Sequence, residues 1–227
     1  MSDEILQHIK LEDFPDDQYV KEESAKNTIY LHHTAGSANP FGVVQWWESS
    51  VEKVATHFII GGKAPAGAGW EDGDIIQCYS TKYWGWHLGL ASAHIPPGSV
   101  GNTTLNKQAV AIELCNWGAL VKSADGSYLQ CQGGKVPEEE VIALHYRGHE
   151  YYHAYTDAQI ENLRQLLVYL GAKWSIPLDY KGDEMFEIDN RAFKGEPGIW
   201  THTSVRTDKQ DCSPQPKLIA MLQGLTS

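Results

Sequence analysis

The sequence predicts a single α/β domain with a central mixed β-sheet flanked by α-helices. Its 227 residues are 42% hydrophobic and 21% charged, which suits one substantial soluble core. Short β-branched runs bounded by glycine are mixed with segments of helical periodicity, and no internal repeat or low-complexity tract divides the chain. We therefore expect a single domain over residues 28–227, preceded by a polar, acidic arm over residues 1–27.

The predicted strands come mainly from the first half of the chain. The run TIYLHHTAG is β-branched and aromatic and ends at Gly36, and the shorter runs THFIIG and GDIIQCY are bounded by glycines. The longer run QAVAIELCN alternates two faces, with Val110, Ile112 and Leu114 on one and Ala111, Glu113 and Cys115 on the other.

Three segments have the start signals and periodicity of helices. NPFGVVQWWESSVEK begins at Asn39-Pro40, and YTDAQIENLRQLLVYLGAKW has a capping box formed by Thr156 and Gln159. Ser213-Pro214 is predicted to start a C-terminal helix, after a loop over residues 177–198 that is rich in Gly, Pro and Asp.

The region between these elements gives two further predictions. Gly, Ser and Asp in residues 117–137 indicate a hairpin-like excursion. The following run, PEEEVIALHYRGHEYYHAY, is interpreted as a helix with His145, His149 and His153 on one face. No carboxylate or thiol completes a compact metal site there, so a solvated or substrate-flanking face is favoured over a metal stripe.

Charge and the N-terminal segment exclude several classes of partner. The net charge of −11 disfavours nucleic acid and anionic lipid. The start, MSDEILQHIKLEDF, lacks the basic and apolar regions of a signal peptide, and no apolar run approaches the roughly 18–20 residues of a membrane span. We expect synthesis in the cytoplasm, no membrane insertion and a monomer. Four cysteines without CxxC spacing do not form a disulfide framework, and Cys78 and Cys115 are predicted to be buried.

The adjacent histidines in YLHHTAG are expected to point to opposite faces of their strand. His32 shares a face with Tyr30 and Thr34, whereas His33 shares one with Ile29 and Leu31. The polar neighbours on its face favour His32 as a metal ligand, and His33 is expected to have a packing or supporting role.

Glu113 is a carboxylate inside a run that otherwise indicates a buried strand. An unpaired buried charge costs several kcal/mol, so this residue either faces water at the sheet edge or is paired with a cation or metal. Its small neighbours Ala111 and Cys115 leave space above the carboxylate, and we favour a functional role.

The late loop THTSVRTDKQDCSP contains the other residues of a candidate site. His202 with Asp211 or Cys212 would join the early histidine as the three protein ligands of a catalytic zinc ion. Lys209 and Arg206 lie in the same loop, where they could stabilise a developing oxyanion or hold a substrate carboxylate.

In order along the chain, LHHTAG, THFIIG, GDIIQCY, WGWHLG, AVAIELCN, YTDAQIENLRQLL and THTSVRTDKQDCSP resemble the motifs of zinc-dependent N-acetylmuramoyl-L-alanine amidases. That family includes phage lysozyme-type amidases, the cytosolic anhydro-muropeptide amidase and the peptidoglycan recognition proteins. The resemblance covers roughly residues 28 to 223. It implies a peptidoglycan recognition protein/amidase-like fold, Zn²⁺ as cofactor and peptidoglycan or a muropeptide as substrate.

The resemblance also implies a role for individual residues. The zinc ligands are His32, His202 and a third residue two positions after a catalytic lysine. Lys209 makes that residue Asp211, whereas choosing Cys212 would put Gln210 in the lysine's place. Glu113 matches the family's catalytic glutamate, and Thr56 stands where some members have a catalytic tyrosine.

The implied substrate contacts are Trp86, His87 and Arg206. The implied reaction is hydrolysis of the amide between N-acetylmuramic acid and L-alanine of the stem peptide, either in the bacterial cell wall, as an endolysin does, or on cytosolic muropeptides. The alternative is a non-catalytic recognition module of the same fold, which usually lacks a zinc ligand.

Overall fold

In a computed structural model, which describes residues 9–12 and 14–225, the predicted α/β architecture is present. Its centre is a mixed sheet whose strands, in spatial order, are β1 (Ile9–Leu11), β4 (Ile75–Gln77), β3 (Phe58–Ile60), β5 (Ala109–Leu114), β2 (Thr28–His33) and β11 (Gly198–Thr201). The neighbouring strands are parallel except for the β3–β4 pair, which is antiparallel.

The predicted strands are confirmed, and two further strands complete the sheet. β1 pairs with β4 through residues 9–11, so part of the segment predicted as an arm adds a strand to the sheet edge. β11 lies beside β2 at the other edge. Residues 1–8 and 13, on which much of the N-terminal interpretation depends, lie outside the described residues.

The helices begin where local capping permits. Asn39 caps α1 (Pro40–Ser49), and Thr156 caps α3 (Asp157–Trp174) with both bonds of the predicted capping box. α5 (Pro216–Gln223) begins later than predicted, because Gln215 is its N-cap and Pro216 its first residue. The short helices α2 (Asn102–Gln108) and α4 (Asn190–Phe193) were not predicted, and α4 lies inside the segment expected to be a loop.

The helix predicted around His145, His149 and His153 is wrong. This segment is a hairpin of β9 (Val141–Tyr146) and β10 (His149–His153). Arg147 and Gly148 between the strands have φ values of 48° and 80°, which no helix contains. The three histidines therefore do not share a helical face.

The hairpin-like excursion predicted for residues 117–137 is confirmed, and it joins the β9–β10 hairpin in a second, antiparallel sheet. Its additional strands are β6 (Ala119–Lys122), β7 (Tyr128–Leu129) and β8 (Lys135–Val136). The strand order is β8-β7-β6-β10-β9. This segment forms strands despite its helical spacing, because pairing between strands buries its side chains. Tyr152, which lies opposite Ile142, is fully buried.

The central sheet is buried on both faces. Leu163, Leu167 and Leu170 of α3 pack with one face in the larger core cluster. On the other face, Val44 and Trp47 of α1 belong to a smaller cluster. The four cysteines, all within the described residues, are free, and Cys78 and Cys115 are buried as predicted. Within residues 9–12 and 14–225 no helix is both long and apolar enough to cross a bilayer.

A buried lysine just before β2 gives a pH-dependent stability prediction. Lys26 is 4% exposed and donates hydrogen bonds to the Lys107 carbonyl at 2.6 Å and to the Ser24 hydroxyl at 2.9 Å. Burial lowers its pKa from 10.5 to about 7. Between about pH 7 and pH 10.5 Lys26 is protonated in the unfolded chain but has lost its proton in the folded chain.

We therefore expect the free energy of unfolding to rise with pH over that window, with a slope from Lys26 of up to about 1.4 kcal/mol per pH unit. Urea unfolding at pH 7, 8 and 9 would compare the wild type with Lys26→Met. The variant should lose this part of the slope, and an identical pH dependence in both proteins would contradict the prediction.

Candidate active site

Strand register places His32 beside Glu113. β2 and β5 are parallel, and His32 is paired with Glu113 along the ladder. In-register neighbours on parallel strands project to the same face of a sheet. His33 points to the opposite face, where its Nδ1 lies 2.9 Å from the Tyr155 hydroxyl. The predicted placement of the two histidines on opposite faces of the strand is therefore confirmed.

The late loop approaches the same face from the neighbouring strand. β11 runs parallel to β2 and ends at Thr201, so His202 follows directly, in a short 3-10 turn. The Thr203 amide then donates to the Asp211 carbonyl at 3.2 Å. This bond brings the end of the loop back beside its beginning.

His32, His202 and Asp211 form a compact, buried group. The Nδ1 atoms of the two histidines are 3.1 Å apart, and Oδ2 of Asp211 lies 3.2 Å from Nδ1 of His32 and 2.9 Å from Nδ1 of His202. Tetrahedral zinc, with bonds to nitrogen and oxygen of about 2.0–2.1 Å, separates its ligand atoms by about 3.3 Å. The spacing and the donor chemistry of the three residues therefore fit a zinc ion.

The protonation of this group also suits a metal. Nε2 of His202 lies 3.0 Å from the Leu88 carbonyl oxygen, which can only accept, so Nε2 carries the hydrogen. Burial and the neighbouring His202 lower the pKa of His32 to about 4. Burial alone would raise the pKa of Asp211, but the charge and hydrogen bond of His202, with those of His32, hold it well below its ordinary value. A neutral imidazole at His32 and an ionised carboxylate at Asp211 are the forms that bind zinc.

Glu113 stands next to this group with an unsatisfied oxygen. Its Oε2 atom is buried and has no hydrogen-bond partner within the described part of the chain. Burial, and then the negative charge of Asp211, raise its pKa well above the ordinary value, while Lys209 acts in the opposite direction. A carboxylate with a raised pKa and a free oxygen is suited to take up and release a proton.

The family profile described as N-acetylmuramoyl-L-alanine amidase matches residues 23–216. The chain belongs to this amidase family. Among curated proteins, no sequence matches it.

Solved structures support the family's fold for this member. PlyL is 15% identical with a TM-score of 0.51, and the match covers 96% of each chain. The catalytic domain of XlyA is 13% identical with a TM-score of 0.50, covering 96% of this chain and 99% of that one. AmpDH3 from Pseudomonas aeruginosa is 16% identical with a TM-score of 0.51, covering 91% of this chain and 61% of its own. At these identities the likeness concerns the fold alone.

The two candidates for the third ligand have different surroundings in this family member. Asp211 offers Oδ2 to both histidines, whereas Cys212 is fully buried within the larger core cluster. Burial raises the pKa of the Cys212 thiol well above its ordinary value. Lys209 is half-buried, and its charge influences the pKa of both His32 and Glu113. The geometry favours Asp211, and its role as ligand stays a prediction.

The three predicted substrate-binding residues have separate environments. Trp86 is half-buried, with its ring 4.9 Å from that of Trp84 in an edge-on arrangement. His87 is 6% exposed, and its Nδ1 lies 3.0 Å from Nε2 of His32. Arg206 pairs with Asp208 and donates to the Leu88 carbonyl at 3.1 Å, which ties the late loop to the WGWHLG segment.

Two contributors to the site were not found from the sequence. The Leu88 carbonyl accepts from His202, and the Asn106 side chain accepts from the amides of His87 and Leu88. The WGWHLG motif marked the segment, but a backbone acceptor carries no residue-type signal. Asn106 had no sequence signal that distinguished it from an ordinary polar helix residue.

Proposed function

We propose that the chain is a zinc-dependent hydrolase that cleaves the amide between N-acetylmuramic acid and L-alanine of the peptidoglycan stem peptide. The observation that carries this proposal is the buried group of His32, His202 and Asp211 with the unsatisfied carboxylate of Glu113 beside it. Membership of the amidase family supports the choice of reaction.

In this proposal His32, His202 and Asp211 would hold the zinc ion through Nδ1, Nδ1 and Oδ2, the atoms that lie close together. A bound zinc ion supplies Lewis acidity, which makes water more acidic and polarises a carbonyl group. The protein's own task is to position these ligands.

Glu113 is the proposed general base and acid. Its carboxylate removes a proton as water adds to the scissile carbonyl carbon, and it returns that proton to nitrogen as the C–N bond breaks. The products are the lactyl carboxylic acid of the sugar and a stem peptide with a free L-alanine amine. The raised pKa of Glu113 suits a group that must hold a proton between these two steps.

Lys209 is the proposed cation for the oxygen that gains negative charge as water adds. Its charge is near enough to influence the pKa of Glu113 and of His32, which supports this role. Substrate contacts by Trp86, His87 and Arg206 stay predictions, as does the monomeric state. Arg206 would have to exchange part of its pairing with Asp208 to hold a stem-peptide carboxylate.

Mass spectrometry of digested, purified peptidoglycan tests the proposal. We expect release of stem peptides with new L-alanine amino termini from zinc-loaded protein and none after chelation. Binding to peptidoglycan with stoichiometric zinc but no new termini would instead identify a recognition module. Cleavage of other amides with intact walls untouched would indicate a different substrate class.

The same assay distinguishes the two proposed places of action. Intact sacculi and soluble muropeptides would be supplied as separate substrates at equal stem-peptide concentration. Preference for sacculi would indicate an endolysin-like enzyme, and preference for soluble fragments an enzyme that recycles muropeptides.

A further inference from the structure

One short segment provides a hydrogen-bonding partner for both histidines of the proposed zinc group. Nδ1 of His87 lies 3.0 Å from Nε2 of His32, and the carbonyl oxygen of Leu88 lies 3.0 Å from Nε2 of His202. The two ligands come from β2 and from the end of β11, yet their outer nitrogens meet adjacent residues of a third segment.

The direction of these bonds follows from which nitrogen faces the group. The Leu88 carbonyl can only accept, so His202 donates from Nε2, which leaves Nδ1 as the nitrogen that would bind a metal. If His32 also gives Nδ1 to a metal, its hydrogen is on Nε2 and His87 must accept through Nδ1. His87 then carries its own hydrogen on Nε2, an atom that is buried and has no hydrogen-bond partner within the described residues.

The segment is held in place by Asn106, which is fully buried on α2. Its Oδ1 accepts from the backbone amides of His87 at 2.9 Å and Leu88 at 3.2 Å. Its Nδ2 donates at 2.8 Å to both the carbonyl and the side-chain oxygen of Asn102. Both polar atoms of the Asn106 amide are therefore engaged: Oδ1 holds the backbone of His87 and Leu88, and Nδ2 fixes the amide itself to Asn102.

We propose that His87 and Asn106 are positioning residues for the metal site. His87 selects the tautomer and ring orientation of His32, and Asn106 holds His87 and the Leu88 carbonyl at the distances that both histidines require. This inference rests on the proposed zinc site. It gives His87 a role in holding the metal in addition to, or in place of, the predicted contact with substrate.

A matched pair of substitutions tests the acceptor at Nδ1 of His87. His87→Asn retains an amide oxygen or nitrogen at the position of Nδ1, whereas His87→Gln places the amide carbon there, with its oxygen and nitrogen one bond further out. We expect His87→Gln to weaken zinc binding by about 10- to 100-fold, the loss typical of such supporting residues. His87→Asn should remain within about threefold of the wild type, because it retains the acceptor.

Zinc dissociation constants would be measured by competition with a chromophoric chelator, after circular dichroism has established that each variant is folded. Cobalt loading adds a spectroscopic readout, because the visible absorption of bound Co²⁺ should change for His87→Gln and be retained for His87→Asn. His57→Gln is the matched control. That imidazole is also buried, but its hydrogen-bond partners are the Tyr83 carbonyl and the Ala111 amide, not a residue of the proposed zinc group.

Asn106→Leu removes the oxygen that accepts from the amides of His87 and Leu88, and it should also weaken zinc binding. Asn106→Asp retains a side-chain oxygen that can accept these bonds, and it should weaken zinc binding less. Equal zinc affinity in wild type and His87→Gln, or equal losses in His87→Gln and His87→Asn, would overturn the inference. A wild type that binds zinc but leaves peptidoglycan uncut would overturn the proposed function alone. A wild type that binds no zinc would overturn both.

Discussion

Replacement of Glu113 by glutamine should abolish amide hydrolysis while zinc content stays unchanged. The substitution retains the size of the side chain and its position on β5 beside His32, but it removes the group that accepts a proton. General acid–base catalysis typically contributes about 10²–10⁴-fold to a rate, and we expect a loss in that range or larger. The effect should fall on kcat, because Glu113 acts on water and the leaving amine and is not proposed to hold the substrate.

The measurement is the rate of appearance of L-alanine amino termini from a soluble muropeptide, together with zinc content by elemental analysis. Glu150→Gln provides a control for the loss of one negative charge, since Glu150 is an exposed residue of β10. Turnover within about tenfold of the wild type in Glu113→Gln would rule out Glu113 as the general base.

Substitution of Asp211 by alanine should remove zinc, whereas substitution of its neighbour Cys212 should not. Oδ2 of Asp211 lies within 3.2 Å of the Nδ1 atoms of both histidines. Its loss would leave two imidazole ligands and no negatively charged ligand, so we expect zinc affinity to fall by at least about 100-fold, more than the loss of a supporting residue typically costs. Hydrolysis should fall with it.

Cys212→Ala should retain zinc and mainly lower thermal stability. The thiol is fully buried in the larger core cluster, and removing a buried sulfur leaves a small cavity whose cost is on the order of 1 kcal/mol. Zinc content after dialysis and thermal unfolding with and without a chelator would be measured for both variants. Loss of zinc in Cys212→Ala with retention in Asp211→Ala would show that the ligand register is displaced by one residue.

Much of the fold could be predicted because its signals are local. Two helix starts depend on side chains within three residues of each other, and the structure has both of them. They are the capping box of Thr156 and Gln159 and the start at Asn39-Pro40. Alternation in TIYLHH and AVAIEL likewise depends on strand geometry alone. It separated His32 from His33 and placed Glu113 on a definite face before any strand neighbour was known.

The prediction failed where non-local pairing decided the structure. Spacing of His145, His149 and His153 suggested a helix, but β9 and β10 pair with each other and β10 with β6, and the turn at Arg147-Gly148 has positive φ. Strand pairing buries Tyr152. The stabilisation that comes from this burial cannot be read from the spacing of residues within the segment itself. The edge strand β11 was missed for the same reason, because it is completed by its neighbour β2.

The sequence by itself therefore determined the fold class, the predicted strands and major helices, and the residue types of the candidate site. Only the tertiary structure decided which atoms meet. Parallel register set His32 beside Glu113, and the return of the late loop brought Oδ2 of Asp211 to the two Nδ1 atoms. The Leu88 carbonyl and the Asn106 amide entered the site through folding as well, because a hydrogen bond depends on distance and direction in space, which separation along the chain does not encode.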